Sequence, residues 1–211
     1  MKATYFPKYR YTGKVATPGD QKGARGAQAG MRRGRLVDRE MDMFVACQGD
    51  ARKFASTLKR KPHAYTARMT AALTKLELRP VDTQTVVGDI ETGFATAVDI
   101  LCVDKHGEPC LVEQKCGFAG YYERSNDQML HELAEYSNAP LNQHQLQLSL
   151  TAWLFYKTFG IRVKKAFVIR IVDTGVFFHE LQQKFLNLAP VALRRMRGVV
   201  HAKSPKRSRR R

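Results

Sequence analysis

The chain has 211 residues, 44% of them hydrophobic, and carries a formal net charge of +17 with an isoelectric point near 10.0. A chain of this length is most simply one domain with terminal extensions, and it is long enough to bury a sizeable core. No stretch has the apolar length of a signal-peptide core or of a membrane-spanning helix, so we expect neither a secretory signal nor a membrane partner.

The positive charge is concentrated at the two ends of the chain. Residues 1–35 carry nine Lys or Arg and one acid, residues 194–211 carry nine and no acid, and the middle has eighteen of each sign. Clustered positive charge is typical of segments that bind a phosphate backbone through contacts that weaken as salt rises. We therefore predict DNA as the partner of the two ends and a site in the neutral middle.

Composition divides the chain into three parts. Residues 1–30 mix Lys, Arg, Gly, Ala and Pro without an apolar period, and we expect an irregular basic arm there. Residues 31–197 hold the periodic segments and are interpreted as one domain. Residues 198–211 form a basic tail that is typical of both a nuclear localisation signal and a nucleic-acid-binding arm. Four Cys without C-x-x-C spacing are expected to be reduced thiols, which favours a protein of the nucleus or the cytoplasm.

The first periodic segment is predicted to be a helix over residues 31–45. Val37, Met41 and Phe44 recur at helical spacing and give it one apolar face. Asp38 and Asp42, four residues apart, lie along the edge of that face. They are either a solvated acidic edge or part of a site. Two helices are expected within residues 50–78, followed by a strand at residues 83–91 and a second strand at residues 94–103.

Residues 97–116 are interpreted as two strands joined by a polar connection that contains Gly and Pro, which is typical of a hairpin. Asp99 lies in the first strand. Glu113 and Lys115 lie in the second, two residues apart, so they project from the same face. Charged side chains on central apolar strands are costly to bury unless they are paired or bound to a metal.

This set of side chains has a chemical use. Two carboxylates on neighbouring strands can hold a hard divalent cation such as Mg²⁺, which keeps waters and phosphate oxygens in its shell. A lysine beside them can orient or deprotonate the attacking water, or stabilise negative charge on a phosphate. The pattern therefore predicts hydrolysis of a phosphodiester. Asp89 and Glu91, in a more polar strand, are alternative acids that we rank below Asp99.

Residues 142–160 are predicted to form a buried helix with a polar stripe of Gln143, Gln147 and Thr151, and with His144 beside it. Buried amides need hydrogen-bond partners, so the stripe either bonds nearby backbone or solvent, or reaches a site. A short helix is expected before this one, at residues 127–136. Residues 161–172 are expected to be a strand whose apolar run is interrupted by Arg170. A short strand at 175–179 and a helix at 180–197 complete the predicted domain.

Three of these segments resemble the PD-(D/E)XK nuclease superfamily. Asp99 followed by E-Q-K at 113–115 resembles its D…E-x-K core, and E-Q-K-C-G at 113–117 is similar to the E-x-K-C signature of the lambda-exonuclease and RecB-like (YqaJ-type) branch. G-R-L-V-D at 34–38 resembles the G-x-x-x-H helix of the RecB-type nucleases, with Asp38 in place of His. H-Q-L-Q at 144–147 is similar to the family's H-x-x-Q motif. The matches follow the family's order over about residues 30–175.

The order of the predicted helices and strands fits an α/β sandwich with a small mixed β-sheet. The resemblance also implies an α/β fold, with a restriction-endonuclease-like core in which helices flank that sheet. It also implies bound Mg²⁺, with Mn²⁺ as a substitute. Asp99, Glu113 and the main-chain carbonyl of Gln114 would hold the metal, and the first helix would supply a further ligand. That ligand is left open among three acids, with Asp38 first: Asp38, Glu40 and Asp42.

The activity that the resemblance implies is that of a DNA nuclease, in the first place an exonuclease, of viral or phage recombination, repair or genome processing. Lys115 would position the water or stabilise the transition state, and Gln147 would bind phosphate, the water or a ligand. DNA is the expected partner, with either further copies of the chain or a recombination protein beside it. The expected DNA contacts are Arg33, Tyr121, Arg124, His144, Lys203, Lys206, Arg207, Arg209, Arg210 and Arg211.

Two rival interpretations stay open. A non-enzymatic DNA-packaging protein would need only the two basic ends, with the core as a scaffold. A junction-resolving endonuclease on the same fold would differ in its preference for branched DNA. The intact set of Asp99, Glu113 and Lys115 argues against an inactive site, because a scaffold has no need to bury such residues.

Overall fold

The computed structural model describes residues 18–117 and 122–203, with side chains for residues 30–117 and 122–197. Three helices come first: α1 (Pro18–Ala46), α2 (Ala51–Leu58) and α3 (Ala64–Lys75). Strands β1 (Arg79–Asp89), β2 (Phe94–Val103) and β3 (Pro109–Cys116) follow. A 3₁₀ helix (His131–Leu133) and helix α4 (Pro140–Phe159) lead to β4 (Lys165–Val172), β5 (Gly175–Glu180) and α5 (Gln183–Lys203).

The five strands form one mixed sheet in the order β1-β2-β3-β4-β5. All neighbours are antiparallel except β3 and β4, which are parallel. A parallel pair needs a long crossover, and here the crossover contains α4. The predicted α/β architecture, a small mixed sheet flanked by helices, is confirmed and is consistent with a nuclease-like core. Cys102 and Cys110 face each other in the β2–β3 ladder as free thiols.

Each face of the sheet is covered by its own apolar cluster. Along β3, Leu111 packs into the cluster formed with α4 and α5, and Val112 packs into the cluster formed with α1, α2 and α3. Because side chains alternate along a strand, Glu113 and Lys115 share the face of Leu111. Gln114 shares the face of Val112. The alternation predicted from sequence therefore decides which helices each polar residue meets.

Helix α4 is the central element of the α4–α5 face. Pro140 stands at its start, where the missing N–H costs no hydrogen bond, and Gly160 ends it with a φ of 72°. Its interior is buried nearly all round, from Gln145 to Phe155. None of the described helices has both the length and the apolar character that crossing a membrane requires.

The structure corrects the expectation that residues 1–30 are irregular. Residues 18–30 belong to α1, which begins at Pro18, while residues 1–17 lie outside the described part of the chain. The Ala, Gln, Lys and Arg residues between the glycines of this segment favour a helix, and Pro is tolerated in a first turn. The apolar face that Val37 and Met41 bury against the sheet anchors the helix further along.

Two other expectations were wrong in detail. Strand β1 begins at Arg79 rather than at residue 83. The short helix expected at residues 127–136 is only a single 3₁₀ turn, with a β-bridge between Gln128 and Ser137. Met129 and Leu133 are still buried, so the apolar residues of this segment pack into the core without helical backbone bonds.

Candidate active site

The candidate site lies where β2 and β3 separate. Their ladder ends at Ile100 and Val112, and the next residues along the two strands are Asp99 and Glu113. The Asp99 carboxylate accepts a hydrogen bond from the main-chain N–H of Gln114 at 2.9 Å. The Asp99 side chain thus accepts from a β3 main-chain N–H that lies beyond the end of the β2–β3 ladder. This hydrogen bond holds Asp99 between the two strands.

The Glu113 carboxylate is the most buried acid of the site, with an exposed fraction of 1%. Its Oε1 atom contacts the Lys115 ammonium and accepts a hydrogen bond from Gln147 Nε2 at 2.6 Å. The same ammonium lies 3.9 Å from Asp99 Oδ2. The predicted carboxylates, lysine and amide therefore meet at one place, with the lysine between the two acids.

The charges of this group depend on each other. Burial raises the pKa of Glu113 to about 7; the Asp99 carboxylate also raises it, and the Lys115 ammonium opposes the rise. Burial alone would lower the pKa of Lys115, but the Glu113 and Asp99 carboxylates raise it overall. The two carboxylates therefore favour the protonated form of Lys115, which is a hydrogen-bond donor.

Asp38 belongs to α1, which packs on the face of the sheet opposite to that of Glu113 and Lys115. Its Oδ1 atom accepts a hydrogen bond from Gln114 Nε2 at 2.9 Å, and both side chains line a small cavity with Asp42 and Asp99. Partial burial, with the carboxylates of Asp99 and Asp42, raises the pKa of Asp38 to about 6 against the effect of the Lys115 ammonium. The Gln114 Oε1 atom is buried and has no hydrogen-bond partner among the described residues.

Glu40, an alternative helix ligand, points elsewhere. Its carboxylate lies 2.6 Å from Arg60 Nη2 and accepts a hydrogen bond from the main-chain N–H of His63 at 2.8 Å. Of the three acids considered on this helix, Asp38 is thus the one bonded to the E-x-K strand.

The side chains of the site offer oxygen donors to a divalent cation. Within residues 30–117 and 122–197, no three or more His, Cys, Asp or Glu side chains converge as a ready-made metal cluster. Asp99 and Glu113 do share one cation, the Lys115 ammonium, and Mg²⁺ is commonly held by one or two carboxylates while keeping several waters. Burial of the Glu113 carboxylate raises its pKa and so disfavours its anionic form relative to water, which a further positive charge would offset. The donor set fits a hard cation such as Mg²⁺ or Mn²⁺.

Arg33, predicted to bind DNA, lies at the end of the E-x-K strand. Its guanidinium stacks over the ring of Tyr65 at 4.9 Å, and a side chain at Gly117 would come within 2.6 Å of its Nη2 atom. Gly117 also has a φ of 74°, a conformation that suits glycine. The glycine after the E-x-K-C sequence therefore leaves room for Arg33 beside the site.

The other predicted DNA contacts are divided between described and undescribed residues. His144 lies on α4 one turn before Gln147, and its Nδ1 atom is 2.9 Å from the Tyr122 hydroxyl. Arg124 is exposed in the segment before α4. Lys203 is the last residue of α5, and its side chain is outside the described part. The remaining predicted contacts lie outside the described residues: Tyr121, Lys206, Arg207, Arg209, Arg210 and Arg211.

The alternative acids Asp89 and Glu91 form a separate cluster. Lys157, near the end of α4, lies 3.0 Å from Glu91 Oε2 and 3.8 Å from Asp89 Oδ1. Asp89 also accepts a hydrogen bond from the Thr92 hydroxyl at 2.8 Å. Asp89 and Asp99 are ten positions apart along the chain, and each has its own lysine, Lys157 beside Asp89 and Lys115 beside Asp99.

Arg170 interrupts the apolar run of β4, and it was not among the predicted site residues. The structure pairs it with Lys115 in the parallel β3–β4 ladder. A charged residue in an otherwise apolar run was the available signal. The pairing with Lys115 could not be predicted from a local sequence pattern, because α4 lies between the two strands along the chain.

No protein-family model matches the sequence, and no curated protein matches it. Among solved structures, the chain is similar to SSO0001 at 13% identity, with a TM-score of 0.36 over 82% of this chain and 71% of that one. It is also similar to a protein from Eubacterium rectale that is provisionally named an exonuclease, at 12% identity and a TM-score of 0.41, over 79% of this chain and 65% of that one. Similarities this distant carry no information on chemistry, which has to come from the site itself.

Proposed function

We propose that this protein is a metal-dependent DNA nuclease that hydrolyses phosphodiester bonds. The observation that carries the proposal is the contact of the buried Glu113 carboxylate with both Lys115 and Gln147, beside Asp99. A buried ion pair adds little to stability, since the desolvation of both charges offsets their attraction. A chemical role is the better reason for these four side chains to meet.

In this proposal, Asp99, Glu113 and the main-chain carbonyl of Gln114 hold Mg²⁺ or Mn²⁺, with Asp38 as a further ligand. When bound, such a cation polarises a phosphate oxygen and lowers the pKa of a coordinated water. The hydrogen bond from the Gln114 N–H keeps the Asp99 carboxylate in place. The side-chain amide of Gln114 does the same for Asp38.

The remaining residues act on the phosphate and on the orientation of the acids. Lys115, protonated between two carboxylates, donates a hydrogen bond to a phosphate oxygen and stabilises the negative charge that develops there. Gln147 donates to Glu113 and holds it in one rotamer. Arg33, at the end of β3, contacts the phosphate backbone, and the basic ends add sequence-independent affinity.

We further infer an exonuclease of viral or phage recombination, repair or genome processing, which works with other copies of itself or with a recombination protein. The motif resemblance is the only support for this refinement.

The test is incubation of the purified protein with linear and with closed-circular DNA, in Mg²⁺, in Mn²⁺ or in EDTA. We expect metal-dependent loss of linear DNA by the wild type. Asp99→Asn and Glu113→Gln should lose cleavage and still retard DNA in a gel as the wild type does. Attack on linear DNA alone would identify an exonuclease.

Three results would contradict parts of this proposal. Cleavage by the Glu113→Gln variant would contradict the proposed catalytic site. DNA that is retarded but uncut under every condition supports the non-enzymatic DNA-binding alternative. Strong preference for branched over linear DNA supports a junction-resolving endonuclease.

A further inference from the structure

An open groove lies between α4 and α5, away from the proposed catalytic residues. Its volume is about 440 Å³, within the range of about 300–1,000 Å³ that is usual for ligand sites. None of the described residues that line it belongs to the proposed catalytic set. Its walls are mostly aromatic and aliphatic, with one charged side chain: Trp153, Tyr156, Val163, Leu186, Pro190 and Arg162. We call it the α4–α5 groove.

Trp153 and Tyr156 form the aromatic wall of the groove. Their ring centres are 5.8 Å apart, and the two ring planes make an angle of 55°. Both side chains are only partly buried, although Leu154 and Phe155 between them are packed into the core. Aromatic side chains that face solvent in this way are the usual platform for the bases of single-stranded nucleic acid, because every base has a π-face. The wall therefore suits a flat aromatic ligand.

Arg162 is the one charged residue among the described residues of the groove, and none of them is acidic. Its guanidinium carbon lies 5.0 Å from the centre of the Tyr156 ring. The side chain is exposed, and within residues 30–117 and 122–197 its guanidinium has no hydrogen bond or ion pair. The N–H donors in the plane of a guanidinium match the geometry of phosphate oxygens. The groove thus places an anion-binding group beside a stacking surface.

Pro190 adds a hydrogen-bond acceptor to the same groove. Proline has no N–H, so its position inside α5 leaves the main-chain carbonyl of Leu186 without its usual donor in the helix. Both residues line the groove. The amino groups on the edges of adenine and cytosine are donors that suit such an acceptor.

We propose that the α4–α5 groove binds single-stranded DNA, with a base stacked on Trp153 and the neighbouring phosphate bonded to Arg162. The net charge of +17 favours a polyanionic strand as the source of this base and phosphate. The site goes beyond the proposed nuclease function, since binding there uses neither Asp99 nor Glu113. Trp153 follows Gln147 by six residues, about 9 Å along the axis of α4, so a strand held at the catalytic centre can reach the groove.

Trp153 is the only tryptophan of the chain, so its fluorescence reports on this groove alone. The test is titration of the protein in EDTA with a single strand composed of A and C, which cannot pair with itself. We expect quenching, because a base stacks on the indole. The duplex with its complement should bind without quenching, since its bases are stacked on each other. A single strand that binds, as the anisotropy of a labelled copy shows, without quenching would overturn the proposal.

Arg162→Gln tests the phosphate contact and keeps the fluorescent probe. Because Arg162 is exposed, the variant should fold, and we expect the strand concentration at half-quenching to rise about 10-fold, the effect of one lost charged hydrogen bond. Lys164→Gln is the matched control. It removes the same charge two positions away, from an ammonium that lies 2.7 Å from Glu108 Oε1, and should titrate as the wild type does. Equal titrations of the two variants would overturn the site.

Two further probes distinguish other ligands. Deoxyadenosine monophosphate at the same nucleotide concentration should quench less than the strand, and equal quenching would overturn the strand in favour of a free nucleotide. Polyglutamate should not quench, and quenching that depends on Arg162 would overturn DNA in favour of an acidic peptide. A protein preparation that cleaves DNA in Mg²⁺ but shows no quenching in EDTA would refute the groove and leave the nuclease function standing.

Discussion

Two glutamines one turn apart on α4 show how single contacts separate a site residue from a structural one. Gln147 Nε2 donates to Glu113 Oε1, while Gln143 Nε2 donates to Asn138 Oδ1 at 2.9 Å. Thr151, the third residue of the predicted stripe, bonds the main-chain oxygen of Gln147 within its own helix. Only one member of the stripe therefore touches the proposed catalytic group.

We predict that Gln147→Leu lowers the single-turnover cleavage rate by about 10- to 100-fold, because Glu113 loses a hydrogen bond to its charged form. Gln143→Leu is the matched control and should stay within about twofold of the wild type. Equal rates for the two variants would show that Gln147 has only a structural role.

Spacing along the chain predicted part of this site. The two-residue spacing of Glu113 and Lys115 placed them on one face of a strand. The four-residue spacing of the polar stripe on α4 included Gln147, together with Gln143 and Thr151. The bond from Gln114 to Asp38 joins residues 76 positions apart and crosses to the other face of the sheet. No local pattern contains that pairing, just as none contains the pairing of Arg170 with Lys115.

Among the elements, α1 carries both Asp38 and Arg33, so its docking positions two residues of the proposed site. Glu40 is the buried contact that ties α1 to the segment between α2 and α3, through Arg60 and the His63 N–H. Burial alone would raise the pKa of Glu40, but the Thr66 hydroxyl, the His63 N–H and the Arg60 guanidinium hold it below its ordinary value of 4.5.

We predict that Glu40→Gln lowers the free energy of unfolding by about 2 kcal/mol at neutral pH, since it removes a charged hydrogen-bond acceptor. A carboxyl whose pKa is lowered by folding contributes stability above its unfolded pKa and loses it as pH falls through the folded value. The difference between wild type and variant should therefore shrink below about pH 4.5. Urea denaturation across this range measures it, and a difference independent of pH would contradict the assignment.

Element boundaries were predicted best where apolar residues alternate with a clear period. The bounds of β2, residues 94–103, agree with the expected strand. The helix of α1 was predicted to start at residue 31, but it begins at Pro18. The glycines between the good helix formers of residues 18–30 made a helix there hard to predict. The helix expected at residues 127–136 was wrong, because Met129 and Leu133 are buried by packing against α4 and α5 rather than by a helical period of their own.

For the molecule as a whole, the excess positive charge and the proposed catalytic residues lie in different parts of the sequence. The tail after Lys203 carries five Lys or Arg residues and no acid, and it follows a helix whose Leu193 and Met196 are buried in the core. Removing residues 204–211 therefore spares α5. The α/β class of the domain was predicted from the order of its segments, whereas the DNA contacts of both ends stay a prediction.

We predict that removing residues 204–211 weakens DNA binding at moderate salt and lowers the salt slope by about 4, as expected for the loss of up to five phosphate contacts. The cleavage rate at saturating DNA should not change, because no tail residue belongs to the proposed catalytic set. Binding titrations at several salt concentrations measure the slope. Loss of cleavage at saturating DNA would show that the tail takes part in chemistry.

The most direct test of the nuclease assignment compares two lysines, each of which lies between two carboxylates. Lys115 lies between Glu113 and Asp99, and Lys157 lies between Glu91 and Asp89. The measurement is the single-turnover rate of DNA cleavage in Mg²⁺. We expect Lys115→Ala to lower the rate by about 10²- to 10³-fold, the usual effect of removing one transition-state donor, and Lys157→Ala to leave it near the wild type. Cleavage by Lys115→Ala at the wild-type rate would contradict the proposed site.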